Sequence, residues 1–260
     1  YMIHEARYTE ELRAKIIREQ NIINEMEHAL ETGEFVVYFQ PKYELDHCRP
    51  SGAEALVRWK SPDQGFLSPG EFIPLFEKNR FIVKLDQFMF TSVCGLLRQW
   101  LDAGIEPRPL SVNVSRMQFH TPDFVERYIR IKSQYAIPDG LLELEFTESI
   151  FFDNVALLSS AVHELRRAGI KCSIDDFGAG YSSLNVLKAL PVSVLKLDGM
   201  FFRTAKDDEQ AKIVIRNIMR MAGELKMATV AEGVETHEQV AFLETTGCDI
   251  IQGYVFARPM

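Results

Sequence analysis

From residue 110 onward, short apolar strand patterns and amphipathic helix patterns take turns without a break. "LSVNVS" is followed by a helical stretch at 123–135, "LLELEF" by one at 153–168, and "IKCSID" by the short "SSLNVLKAL". "VSVLKLD" precedes a helical stretch at 207–225, "ATVAEG" one at 236–246, and "DIIQGY" ends the series. Parallel neighbours need a long crossover, usually a helix, so this alternation restricts the chain to a largely parallel sheet covered by helices. Upstream, only "DHCRP" joins "FVVYFQPKYEL" to "GAEALVRW". That link is too short for a crossover, and the pair is expected to be antiparallel. "SPGEFIPLFEKN" and "IVKLDQFMFTSVCGLLRQWL" read as the helices that follow it. Eight strands with no Pro-, Ser- or Gly-rich linker predict an α/β fold, a TIM-like (β/α)8 barrel with an antiparallel first strand. An open doubly wound sheet is the competitor, but no GxGxxG follows the first strand.

Residues 9–31 read as one amphipathic helix through Leu12, Ile16, Ile23, Met26 and Leu30, with Gly33 suited to its end. The expected organisation is a connector helix over 1–33 and one domain over 34–260. Val155, Leu158, Val162 and Leu165 repeat at helical spacing, as do Val214, Ile218, Met221 and Leu225. Position 1 is not methionine, and the sequence is expected to be part of a longer protein.

The two-residue period of the strands divides each into an apolar and a polar face. Val112 and Val114 oppose Ser111 and Asn113; Leu142, Leu144 and Phe146 oppose Glu143 and Glu145; Leu195 and Leu197 oppose Lys196 and Asp198. Glu54, Leu56 and Arg58 recur on one face of the second strand. A plain barrel interior is filled with Val, Ile and Leu, and unpaired charge there costs several kcal/mol per ion. Something must compensate for it. The polar residues fall near the carboxyl ends of their strands, where barrel enzymes keep their active sites. Glu54, Asn113, Glu145, Asp175 and Glu232 offer hard oxygen ligands suited to Mg2+ or Mn2+. Two ions would use so many carboxylates, an arrangement that serves in-line attack on a phosphodiester. Asp175 and Asp176 cannot share a pocket as adjacent residues of a regular strand. Asp175 is therefore expected to end its strand and Asp176 to belong to the glycine loop that follows.

A formal charge of −8 and the lack of a basic block exclude a general binder of nucleic-acid polymers, but not a small phosphate ligand. No apolar run is long enough to cross a bilayer, so this segment is expected to make no membrane contact. The opening residues carry charges throughout and do not form a signal peptide. Cys48, Cys94, Cys172 and Cys248 lack CxxC or zinc spacing, and the six histidines lack metal spacing. Free thiols in a reducing, cytoplasmic compartment are expected.

The blocks "QPKY", "EALVRW", "SPGEFIPLFE", "SVNVS", "ELEFTES", "IDDFGAGYSSL", "LKLD", "AEGVET" and "QGYVFARP" occur in order from about Phe35 to the end. Together they resemble the EAL domain family, the cyclic di-GMP phosphodiesterases of bacterial signalling. The resemblance implies hydrolysis of cyclic di-GMP to linear pGpG with two divalent ions, Mg2+ or Mn2+. It implies that Glu54, Asn113, Glu145, Asp175 and Asp176 are metal ligands and Glu232 a further carboxylate of the centre. Lys196 matches the lysine beside the attacking water, and Glu148 the glutamate that braces the glycine loop. Arg58 matches the arginine that holds a ligand phosphate, with Gln40 and Leu56 on the ligand side and Gln252 near the metals. Phe146 and Ala179 depart from the family's usual Leu or Ile and Thr or Ser. The first residues resemble the connector after a GGDEF domain, which implies an upstream sensor or GGDEF partner. Family members often dimerise near the glycine loop, so a homodimer stays open. The competing readings are an inactive cyclic di-GMP receptor, which the intact set of site residues disfavours, and a metal-dependent lyase barrel.

Overall fold

The structure is a computed structural model that describes residues 10–152, 155–178, 187, 191–204 and 208–260. Of the helix expected at "SSLNVLKAL" only Leu187 is described, and it is buried; Ala179, Gly180 and Tyr181 lie outside the described residues.

The described strands are β1 (Phe35–Glu44), β2 (Pro50–Ser61), β3 (Gly65–Leu67), β4 (Leu110–Val114), β5 (Leu142–Thr147), β6 (Lys171–Phe177), β7 (Val194–Leu197), β8 (Ala228–Ala231) and β9 (Ile250–Ile251). The described helices are α1 (Glu10–Thr32), α2 (Pro69–Lys78), α3 (Ile82–Asp102), α4 (Phe124–Gln134), α5 (Val155–Arg167), α6 (Met200–Thr204), α7 (Glu209–Glu224) and α8 (His237–Glu244). The sheet runs β1-β9-β8-β7-β6-β5-β4-β2, and β1 pairs back to β2, which closes eight strands into a barrel. Strands β2 and β4 to β9 run parallel to one another around the ring, while β1 is antiparallel to β9 with Tyr43 opposite Ile251. The (β/α)8 barrel with its inverted first strand is thus as the alternation predicts. The three-residue β3 was not expected. It folds back antiparallel on Trp59–Ser61, and three residues are too few to show a period.

The chain forms two compact units, residues 1–36 with 57–85, and residues 37–56 with 86–260. In the first, Trp59 is fully buried, with its ring centroid 4.9 Å from Phe35, 5.7 Å from Phe72 and 5.9 Å from Phe76. Its indole Nε1 donates to Glu34 Oε2 at 2.8 Å, which satisfies the one polar atom the ring buries. Helix α2 starts in a capping box between Ser68 and Glu71, with Pro69 at its first position. Helix α1 has the expected period, but its buried residues are Ile22 and Ala29. Ile23, Met26 and Leu30 are only half-buried, and Leu12 and Ile16 are exposed. Adjacent isoleucines at 16–17 and 22–23 let two neighbouring stripes satisfy the same spacing.

The second unit holds the barrel. Val112, Val114, Leu144, Phe146, Ile174, Leu195 and Leu197 are buried on the face that the outer helices cover. Leu158, Val162 and Leu165 of α5 are buried as the pattern predicts. On α7 the buried stripe is Ile215, Met219 and Ala222, while Val214 and Leu225 are exposed. The phase again slips by one residue, because this helix is apolar on two adjoining rows. Asp208 caps α7 through the N–H groups of Gln210 and Ala211, and a Thr236–Gln239 capping box starts α8. Phe146 is fully buried with its ring 5.5 Å from Phe119.

Cys48 is exposed, whereas Cys94, Cys172 and Cys248 are buried. Burial pushes the thiol of Cys94 up to about 12 and that of Cys248 up to about 11, and it also raises Cys172. A raised pKa leaves less of the reactive thiolate near pH 8. One thiol should therefore react quickly with a disulfide reagent in the native protein and all four in denaturant. Two or more fast native thiols would contradict the burial described here.

Candidate active site

The site is built around Lys196 of β7, which is fully buried. Its Nζ lies 2.5 Å from Glu145 Oε2, 2.6 Å from Glu232 Oε1, 3.0 Å from Asp175 Oδ1 and 3.6 Å from Glu54 Oε2. These carboxylates come from β5, the residue after β8, β6 and β2. Strand register explains the convergence: Asn113 of β4 is opposite Glu145, and Thr147 is opposite Asp175. Asn113 Nδ2 donates to Glu54 Oε1 at 2.6 Å, and Gln252 Nε2 donates to Glu54 Oε2 at 2.6 Å. Gln252 also donates to Gln40 Oε1 at 3.3 Å, and Gln40 donates to the carbonyl of Ala257. Beyond Asn113, the Asp86 carboxylate of α3 accepts from Ser115 N and Gln118 Nε2, which fixes the corner where β4 ends.

The electrostatics follow from this crowding. Burial alone would lower the pKa of Lys196, but Asp175, Glu145, Glu232 and Glu54 outweigh it and hold the ammonium charged well above its ordinary range. Burial would raise Glu145, yet Lys196 and Lys42 bring it down to about 2. Glu232 goes well up, through burial first and then Asp175, Glu54 and Glu145, against which Lys196 is a partial offset. Glu54 rises for the same reasons, with Glu145 the strongest neighbour. Asp176 is pushed up to about 6 by partial burial and by Asp175.

The adjacent aspartates are placed otherwise than the sequence suggests. Asp176 lies within β6, not in the loop. The register to β7 shifts between Ile174 and Phe177, and Asp176 has φ 53°. This bulge breaks the alternation, and aspartate tolerates the left-handed region better than most residues. Asp176 N donates to Asp175 Oδ1 at 2.9 Å. Carboxylate oxygens of Asp175, Asp176 and Glu232 all lie within 4.8 Å of one another, a spacing open to a cation. The donor set fits one. Among the described residues Glu54, Glu143, Glu145, Asp175 and Glu232 pair with Lys42 and Lys196, and Asp176 lies beside them, so carboxyl groups outnumber cations six to two. Gln252 Oε1 is in addition a buried acceptor with no hydrogen-bond partner among the described residues.

Glu148 Oε2 accepts from Gly178 N at 2.9 Å. Gly178 has φ 92°, and a Cβ there would lie 2.1 Å from the Phe201 ring. Gly178→Ala should therefore break the Glu148 contact and destabilise the protein by about 1–3 kcal/mol, the usual cost of a disfavoured backbone conformation. Chemical denaturation checks this; an unchanged midpoint would remove the argument for a fixed turn.

Leu56 is half-buried in β2. Arg58 belongs to the smaller unit, where its guanidinium donates to the carbonyl of Val57. Lys42 escapes the sequence reading, which places Ser111 and Glu143 on the polar strand faces but gives them no role. Lys42 Nζ donates to Ser111 Oγ at 2.8 Å and Glu145 Oε1 at 2.7 Å, with Glu143 Oε1 at 3.9 Å. The signal was present in "QPK", since Lys42 is two residues from Gln40 on the same face of its strand.

Fold and site together define an α/β barrel protein with a cluster of carboxylates gathered around a buried lysine. The chain belongs to the EAL domain family, whose profile matches residues 23–259. It is 36% identical over 256 residues to "Cyclic di-GMP phosphodiesterase PA2567" of Pseudomonas aeruginosa, covering 98% of this chain and 43% of that protein. It is 34% identical over 249 residues to "Bifunctional diguanylate cyclase/cyclic di-GMP phosphodiesterase MucR" of the same organism, covering 96% of this chain and 36% of that one. The chain thus spans less than half the length of these curated relatives. Among solved structures it resembles the PaMucR phosphodiesterase in complex with c-di-GMP, with a TM-score of 0.87 and 36% identity over 92% of this chain and 97% of that one. No helix among the described residues is long and apolar enough to cross a membrane.

Proposed function

We propose that this chain is the phosphodiesterase part of a longer cytoplasmic signalling protein and that it hydrolyses cyclic di-GMP to linear pGpG. The observation that carries the reading is Lys196 enclosed by Glu54, Glu145, Asp175 and Glu232 at the ends of four barrel strands. The names of the PA2567 and MucR relatives and the c-di-GMP complex of PaMucR support the substrate. Glu54, Asn113, Glu145, Asp175 and Asp176 would hold two divalent ions, Mg2+ or Mn2+. Such ions supply Lewis acidity toward water and positive charge against phosphate oxygens.

The remaining work falls to side chains. Lys196 orients the attacking water through its charged Nζ, while Glu232 holds that ammonium in place. Water adds to phosphorus, the bond to the ribose 3′ oxygen breaks, and that oxygen leaves with a proton, which balances the reaction. Glu148 keeps the Gly178 turn in place beside Asp175 and Asp176. Arg58 binds a phosphate oxygen, and Gln40, Leu56 and Gln252 flank the ligand. Residues 1–33 serve as a connector from an upstream sensor or GGDEF domain, and residues 34–260 form the phosphodiesterase domain.

Incubation of the purified chain with cyclic di-GMP and Mn2+, followed by chromatography, tests the proposal. Linear pGpG should accumulate and a chelator should stop it. Tight binding without product would turn the reading to a receptor.

A further inference from the structure

Lys42 is buried in β1 and bonds the Glu145 oxygen that Lys196 does not. It reaches across the barrel to Ser111 of β4 and to Glu145 of β5. The two oxygens of Glu145 are thereby divided: Oε1 is bound by Lys42 at 2.7 Å, and Oε2 by Lys196 at 2.5 Å, the lysine that the other carboxylates surround. Ser111 gives Lys42 a second anchor, and Glu143 adds a more distant countercharge. A carboxylate can hold a divalent cation through one oxygen or both, and the choice decides how many coordination positions stay open to water and phosphate. We propose that Lys42 is a positioning residue that confines Glu145 to one-oxygen ligation, leaving a coordination position open for the reaction. The inference rests on the cation site proposed above and goes beyond it in assigning Lys42 a role.

Replacing Lys42 frees Oε1 and removes a positive charge beside the centre. Both changes should strengthen cation binding. The same replacement should slow turnover, because a two-oxygen Glu145 fills a position that the reaction uses. A lysine that served only to hold the barrel together would, when lost, weaken both. Lys42→Met is the test, with Mn2+ affinity measured by electron paramagnetic resonance of the free ion and hydrolysis of cyclic di-GMP measured in parallel. The expected result is Mn2+ binding tightened severalfold, kcat lowered about 10–100-fold, the range for groups behind metal ligands, and KM unchanged within about twofold. Joint loss of affinity and kcat, or no change in either, overturns the proposal. If Lys42→Met does not fold, Lys42→Met/Glu143→Gln, which keeps the interior charge balance, is judged by the same criteria. If the parent chain cleaves no cyclic di-GMP, the functional reading fails, yet the Mn2+ comparison still decides the role of Lys42: unchanged or weaker binding overturns it.

Discussion

Lys196→Met should lose hydrolysis and, in the presence of a chelator, much of its thermal stability. Methionine matches the length of the lysine stem but leaves Glu54, Glu145, Asp175 and Glu232 without the cation they surround. Breaking one partner out of a buried ion pair costs about 3–5 kcal/mol. For a domain of this size that corresponds to a fall in Tm of roughly 6–20 °C. Protonation relieves part of the cost, first at Glu232, whose pKa is already raised. Divalent cations should restore most of the lost Tm, because they supply the charge that the lysine no longer does. Activity should not return with it: misplacing the attacking water by even about 1 Å costs on the order of 10²-fold. Thermal unfolding with chelator and with Mg2+, beside product formation, separates the two roles. A Tm equal to the parent in chelator would refute the pairing.

Glu54→Gln is the second large effect. Both oxygens of Glu54 are acceptors, one for Asn113 and one for Gln252, each at 2.6 Å. A glutamine presents an NH2 on one side whichever way it turns, so one of those two donors meets another donor. The stranded group costs about 1–3 kcal/mol, and the site also loses a negative charge. Cation affinity and kcat should fall together, by more than the 10–100-fold typical of residues one step behind the ligands. This is the opposite pattern to Lys42→Met, so the two variants measured side by side distinguish a ligand from the residue that orients one. Retained cation affinity in Glu54→Gln would remove Glu54 from the proposed ligand set.

The barrel was legible because its signals repeat. Each crossover needs a helix, and each long strand shows its period on its own, so the eight strands of the ring and the inverted β1 follow without tertiary information, while the short β3 does not. The polar strand faces also pointed to the end of the barrel where Glu54, Asn113, Glu145, Asp175 and Lys196 gather. What escaped depends on contacts between distant segments. The phases of α1 and α7 are ambiguous wherever two apolar rows adjoin, and packing chooses between them. The placement of Asp176 depends on a bulge that only the register with β7 reveals. Lys42 sat unnoticed in a motif read for its glutamine, because a lone lysine in a strand gives no hint that it pairs with Glu145, 103 residues away.

The central claim is that the carboxylates at the barrel's strand ends bind divalent cations beside a phosphodiester. Anomalous scattering from crystals grown with Mn2+ and a non-hydrolysed cyclic di-GMP analogue tests it most directly. The account predicts two peaks, in contact with Glu54, Asn113, Glu145, Asp175 and Asp176 and bordering a phosphate of the ligand. Ligand bound with no peak among these residues, or peaks only elsewhere on the molecule, would contradict it.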